Sequence, residues 1–171
     1  MQPESTVGHF LLPALLVRTP QPSDVAGLAA LFAEMQTHYS RPVSEACARE
    51  AAALACRTPA TIFDPHVLIA MLDAAVVGSL VMNVTFPAFE LTRSLYIRDL
   101  YVAEAMRRRG VGQALVRAGA RLALEGGYSA LEWTTDSANT AARRMYEGAG
   151  AERLDRTYYR LFDAKLRDAA D

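Results

Sequence analysis

The segment from Asp99 to Ala114 constrains this chain more than any other. Asp99-Leu100-Tyr101-Val102 ends an apolar run of strand character, four residues later come Arg107-Arg108-Arg109, and Gly110-Val111-Gly112-Gln113-Ala114 opens a helical stretch. A strand that feeds a glycine turn at a helix start makes an anion site. Glycine removes the side chain that would hold a ligand off the backbone, and the first N–H groups of the helix point outward with the positive end of its dipole behind them. The ligand that suits such a corner is a phosphate or pyrophosphate, and the arginines add charge for it. Competing glycine motifs fit less well. A dinucleotide fingerprint needs a third glycine where Leu115 stands, and a P-loop needs Gly-Lys-Ser/Thr, whereas Lys165 is the only lysine in the chain.

At 171 residues the chain is long enough for one domain with a single core. A net charge of −1 gives no global basic field that would argue for nucleic acid. Cys47 and Cys56 stand nine apart with no CxxC, which fits reduced thiols, and His9, His38 and His66 are scattered, so no metal site is expected. Met1 to Leu16 carries Glu4 where a signal peptide would be basic, and Pro13 interrupts its apolar run. No apolar run reaches membrane-spanning length. The expected organisation is a flexible lead over residues 1–12, one domain over 13–165 and a tail over 166–171, in a cytoplasmic protein.

Ala14 to Arg18 reads as a first strand, stopped by Pro20 and Pro22. Val25, Leu28, Leu31, Phe32 and Met35 recur at helical spacing up to Tyr39, and Ser44 to Arg57 gives a second helix. Val67–Leu72 and Val76–Met82 are almost wholly apolar and flank a tight connection, so they predict a central hairpin. Phe86-Pro87-Ala88-Phe89-Glu90 reads as a loop whose aromatics either wall a small acceptor or cover the end of the sheet. Ser94–Val102 is the strand that delivers the glycine loop; a helix follows to Gly126-Gly127, then a strand at Leu131–Thr135 and a helix through Ala142, Arg143 and Tyr146. Glu152–Arg156 and Tyr158–Phe162 predict a final hairpin. This order implies an α+β chain with a mixed, mostly antiparallel sheet flanked by helices.

The loop resembles the acyl-coenzyme A loop of the GNAT superfamily of N-acetyltransferases, Arg/Gln-x-x-Gly-x-Gly/Ala after a strand, which Arg107, Gly110 and Gly112 fill without a gap. Asn139-x-x-Ala142-x-x-x-Tyr146-x-x-x-Gly150-Ala151 resembles the second motif of that superfamily. Seven residues are about two helical turns, so Asn139 and Tyr146 share a face and can meet one extended ligand at two depths. The order of elements is similar too, and implies the GNAT fold, with a sheet of six to seven strands and about four helices.

The resemblance implies acetyl-CoA as co-substrate, no metal, and transfer of the acetyl group to the primary amine of a small molecule by direct attack in a ternary complex. It implies that Leu100, Tyr101 and Val102 lie along the pantetheine arm, that Arg107, Arg108, Arg109, Gly110, Val111, Gly112, Gln113 and Ala114 hold the pyrophosphate, and that Asn139, Ala142 and Arg143 (with Arg144 as a further candidate) make other coenzyme contacts. Tyr146 is then the general acid to the leaving thiolate, and the backbone N–H of Val102 the oxyanion donor. Tyr39, Phe86, Phe89, Arg98 and Asp99 are candidate acceptor contacts.

The chain is most similar to the diamine and thialysine acetyltransferase branch, in which dimers are common. Those enzymes carry a glutamate where Arg98 stands, and an arginine would repel a polyamine. An acceptor with a carboxylate or phosphate besides its amine follows, unless Arg98 only pairs with Asp99, Glu90 or Glu132. The general base stays open between Asp99, Glu104 and a water chain, and strand alternation puts Arg98 and Asp99 on opposite faces unless a bulge intervenes. A protein or peptide acetyltransferase and a non-catalytic acyl-CoA-binding module are the rival functions.

Overall fold

A computed structural model describes residues 14–170, so the expected lead at 1–12 lies outside the described residues. The described chain falls into two compact units that part between Thr135 and Asp136.

The first unit begins with β1 (Leu16–Arg18), a 3-10 turn at Pro22–Asp24 and α1 (Val25–His38). The buried Asp24 carboxylate fixes this entry: it accepts the Gln21 N–H at 2.6 Å and both guanidinium nitrogens of Arg18 at 2.6 and 2.9 Å. The hydrogen bond from Arg18, against the penalty of burial, holds its pKa below the usual carboxylate range. α2 (Glu45–Ala55) starts where the Ser44 Oγ accepts the Cys47 N–H at 3.2 Å.

β2 (His66–Leu72) and β3 (Ala75–Thr85) are joined through Asp73 and Ala74, whose φ angles of 47° and 64° make the left-handed pair that a two-residue hairpin requires. β4 (Ser94–Val102) runs into α3 (Val111–Glu125), and β5 (Leu131–Glu132) closes the unit. The strands lie in the order β1-β2-β3-β4-β5, antiparallel except for the parallel β4–β5 pair. The expected mixed, mostly antiparallel sheet with a central hairpin is therefore present.

Helices cover both faces of this sheet. Leu28, Leu31 and Met35 of α1 and Ala48 and Ala52 of α2 pack on Ile69, Met71 and Tyr101, while Val111 and Leu115 of α3 pack on Leu68, Ala70, Leu80, Met82, Leu95 and Ile97. Two glycines let α3 sit close. A Cβ on Gly78 would lie 3.1 Å from both Leu115 Cδ1 and Val111 Cγ1 and 3.2 Å from the Tyr101 carbonyl, and one on Gly119 would lie 2.8 Å from Leu80 Cδ2.

The second unit holds α4 (Thr140–Gly148), capped by Asn139, and α5 (Ala164–Asp168), a short helix across the expected start of the tail. Two expectations need correction here and in β5. The described residues contain five strands rather than six to seven: β5 stops at Glu132 instead of Thr135, and neither Glu152–Arg156 nor Tyr158–Phe162 is a strand. A strand exists only with a hydrogen-bonded partner, and aromatic β-propensity describes fit to a pleated neighbour rather than a backbone preference. α5 also raises the helix count to five, against about four expected. No helix among the described residues is long and apolar enough to cross a membrane.

Because Gly78 faces the first turn of α3, Gly78→Ala is expected to cost about 1–3 kcal/mol through overpacking, read as a lower urea midpoint at unchanged slope. An unchanged midpoint would mean that α3 is not seated as described.

Candidate functional site

β4 is nine residues long, yet it pairs with β5 only through Leu95↔Leu131 and Tyr96↔Glu132. Among the described residues no strand pairs with its outer edge from Ile97 to Val102. On the inner side the ladder to β3 is nearly complete, from Thr85↔Ser94 to Gly78↔Val102, and continues as the Ala103 N–H donates to the Val77 carbonyl at 3.0 Å. Backbone groups alternate between the two edges of a strand, so the N–H groups of Leu100 and Val102 turn away from β3 toward the open edge. Tyr101 points the other way: it pairs with Ser79, and its side chain is buried under α1.

The ladder slips once. Met82 faces Ile97 and Val81 faces Asp99, which leaves Arg98 as the extra residue of a bulge. The bulge resets the alternation. Ile97 packs on the α3 face together with Leu100 and Val102, whereas Asp99 shares the opposite face with Tyr101. Arg98 is exposed beside Asp99, and Glu132 takes its hydrogen bond from the Ser94 hydroxyl at 2.9 Å. Burial raises the Asp99 pKa, partly offset by the Arg98 charge and the Leu100 N–H.

Past the strand, a 3-10 turn at Glu104–Met106 leads to the three arginines. Arg107 folds back: its Nε donates to the Val102 carbonyl at 3.2 Å and its guanidinium lies 5.4 Å from the centre of the Tyr101 ring. Arg108 and Gly110 both adopt left-handed backbone, with φ of 61° and 79°. Gly110 caps α3, and the Ala114 N–H donates to the Gly110 carbonyl at 2.9 Å, which leaves the N–H groups of Val111, Gly112 and Gln113 as the unpaired donors of the first turn. A Cβ on Gly110 would meet nothing within 4 Å, so the corner is open and glycine is needed there for its φ rather than for space. These donors, with the exposed Arg108 and Arg109, fit a diphosphate. Arg107 and Ala114 are engaged inside the protein.

In the second unit, the Asn139 Oδ1 accepts the Ala142 N–H at 3.2 Å, so Asn139 caps α4 and its side-chain NH2 is left as a donor. Arg143 donates to the Ser137 carbonyl at 3.1 Å and lies 3.9 Å from Glu147. Tyr146 is half-buried on the Asn139 face of the same helix, two turns on.

The candidate acceptor contacts are dispersed along the first unit. Tyr39 caps the C-terminus of α1, 52% exposed, with its ring 5.3 Å from His38. Phe86 is exposed, but its loop leaves the sheet next to Ser94, roughly 16 Å along β4 from Asp99 at about 3.3 Å per residue. Phe89 lies in the 3-10 turn that follows.

A model of the acetyltransferase (GNAT) family matches residues 28–151. The chain belongs to that family. Membership makes it an N-acetyltransferase, in a family that uses acetyl-CoA as co-substrate. Among curated relatives, the L-ornithine N5-acetyltransferase NATA1 of Arabidopsis thaliana is 32% identical over 80 residues, covering 47% of this chain and only 35% of the plant enzyme. The uncharacterized N-acetyltransferase YhfO of Bacillus subtilis is 28% identical over 136 residues, 80% of this chain and 89% of the relative. An integron cassette protein from the mobile metagenome of V. cholerae has the same fold, with a TM-score of 0.76 at 24% identity over 91% of this chain and 97% of its own.

One acid was missed by the sequence reading. Glu34 of α1 accepts the Tyr101 hydroxyl at 2.9 Å and the Glu104 N–H at 2.8 Å through the same oxygen, Oε1. Its only signal in the sequence is an acid beside the apolar stripe of α1.

The raised pKa of Asp99 fixes the sign of a linkage. The penalty on its ionised form is absent below the unfolded value near pH 4 and develops as pH rises through the higher folded value. Asp99→Asn is expected to be more stable than the parent at neutral pH, with a gain that shrinks on acidification; thermal melts from pH 4 to 8 measure it.

Proposed function

We propose that the chain transfers the acetyl group of acetyl-CoA directly to the primary amine of a small molecule that also carries an anionic group. One observation carries this reading: the open outer edge of β4 ends at Val102, and one turn and three arginines later the same chain enters an open corner of main-chain donors. An extended pantetheine arm can add to such an edge as a strand would, and a diphosphate suits the corner.

Acetyl-CoA supplies an activated thioester. The N–H groups of Val111, Gly112 and Gln113 and the guanidinium groups of Arg108 and Arg109 hold the phosphates. The Val102 N–H, turned to the open edge, donates to the carbonyl oxygen as negative charge develops there. Asp99, whose pKa burial raises and the Arg98 charge partly restores, takes the proton of the amine. Tyr146 returns a proton to the leaving sulfur, and Asn139 offers its amide to the coenzyme.

The bulge supports the acceptor class. It brings a cation and an anion side by side at Arg98 and Asp99, a pair suited to a molecule that bears both an amine and a carboxylate. The name of the plant relative specifies an amino acid whose side-chain amine is acetylated, which agrees with that chemistry.

Thiol release from acetyl-CoA across a panel of amino acids, polyamines, aminoglycosides and short peptides tests the reading. Amino acids are expected to lead, and activity confined to peptides would overturn the small-molecule acceptor. Tyr146→Phe should lower kcat by about 10²–10⁴-fold with little change in acetyl-CoA affinity. Arg98→Glu should shift preference from amino acids toward polyamines; an unchanged acceptor profile would remove Arg98 from the acceptor site.

A further inference from the structure

We infer that Glu34 is a positioning residue for the acetyl-CoA site, holding the end of β4 and the start of the arginine loop in the geometry that the site requires. The inference rests on reading residues 107–112 as the coenzyme loop. Glu34 lies about seventy positions before that loop and is an exposed acid, yet its Oε1 takes two donors from one short stretch, the Tyr101 hydroxyl at 2.9 Å and the Glu104 N–H at 2.8 Å. A merely solvated carboxylate would have no reason to be aimed in this way.

The two bonds close a ring of contacts around Val102. Tyr101 precedes it and is anchored by its hydroxyl to α1, with the His38 ring 5.9 Å from its own. Arg107 follows it, lies over the Tyr101 ring at 5.4 Å and donates its Nε to the Val102 carbonyl at 3.2 Å. Glu104, held by its N–H, is the first residue of the turn between them. The peptide groups on both sides of Val102 are thereby braced, and so is the takeoff of the loop. First among the causes that raise the Tyr101 phenol pKa is burial, followed by the hydrogen bond to Glu34, so the phenol stays protonated and remains a donor. Without Glu34 the loop would populate its binding-competent arrangement for only a fraction of the time, and apparent affinity falls by that fraction.

Glu34→Ala, Glu34→Gln and Tyr101→Phe test this together. Both bonds end on a single oxygen, and a glutamine carbonyl can accept them, so Glu34→Gln is expected to behave like the parent. Glu34→Ala should weaken acetyl-CoA binding by about tenfold, by calorimetry and as a raised KM, while KM for the acceptor changes little. Tyr101→Phe should give a smaller effect that does not add to that of Glu34→Ala. Amide hydrogen exchange should show faster exchange over residues 103–110 in Glu34→Ala and not in Glu34→Gln. A lower melting temperature in Glu34→Ala with parental acetyl-CoA affinity and parental exchange over 103–110 would make Glu34 a structural residue only and overturn the inference. A parent that binds no acetyl-CoA would sink the proposed function instead, and exchange over 103–110 would still decide whether Glu34 holds the loop.

Discussion

Backbone N–H and C=O groups at the edge of a sheet must find partners or water, and this molecule depends on leaving such an edge open at one place. β4 is bonded to β3 along nearly its whole length, but β5 accompanies it for two residues only. The far half of β4 therefore combines a nearly complete inner ladder with an outer edge that no described strand pairs, where the Val102 carbonyl takes the Arg107 Nε and the Leu100 N–H meets the Asp99 carboxylate. A ligand that completes the ladder gains main-chain hydrogen bonds to a strand already held in place, so little ordering entropy is lost on binding. The close seating of α3 on Gly78 sets the first turn of a helix, with its unpaired N–H groups, against the Val102 end of the β3–β4 pair.

The bulge at Arg98 has a separate consequence. In a regular strand Ile97 and Asp99 would share one face, and burying Ile97 against α3 would bury the carboxylate with it. One inserted residue lets Ile97, Leu100 and Val102 all pack on α3 while Asp99 turns to the opposite face beside an arginine. The carboxylate is still desolvated enough for its pKa to rise. A group in that state costs stability in its ionised form and gains strength as a base, which is the usual exchange at a catalytic centre.

The loop arginines differ in their duties despite standing in series. Arg107 spends its Nε on the Val102 carbonyl and its face on Tyr101, whereas Arg109 is exposed. Because Tyr101 is also held by Glu34, helix α1 and the loop share one network of charged and polar contacts. Such networks resist displacement more than isolated surface pairs do, since each member limits the freedom of the next.

Much of the architecture was legible in the chain alone. The bounds of β4, the start of α3 at Val111 and the helical run from Val25 follow from apolar periodicity, from glycine punctuation and from capping, all of which act over a few residues. The glycine turn at the start of α3 was legible for the same reason, since Gly110 answers a local demand for positive φ. Pairing was not. How far β5 follows β4, whether the runs at 152–156 and 158–162 find partners, and where the ladder slips at Arg98 depend on contacts between segments distant in sequence. Glu34 belongs to that second class, because an acid on a helix surface carries no mark of the strand end it will meet. The sequence by itself determined most helices and strands of the first unit and the family motifs; the tertiary structure decided which edge of the sheet stays open, which way Asp99 faces and what holds Tyr101, because those are settled by pairing and packing across the whole sheet rather than by neighbours along the chain.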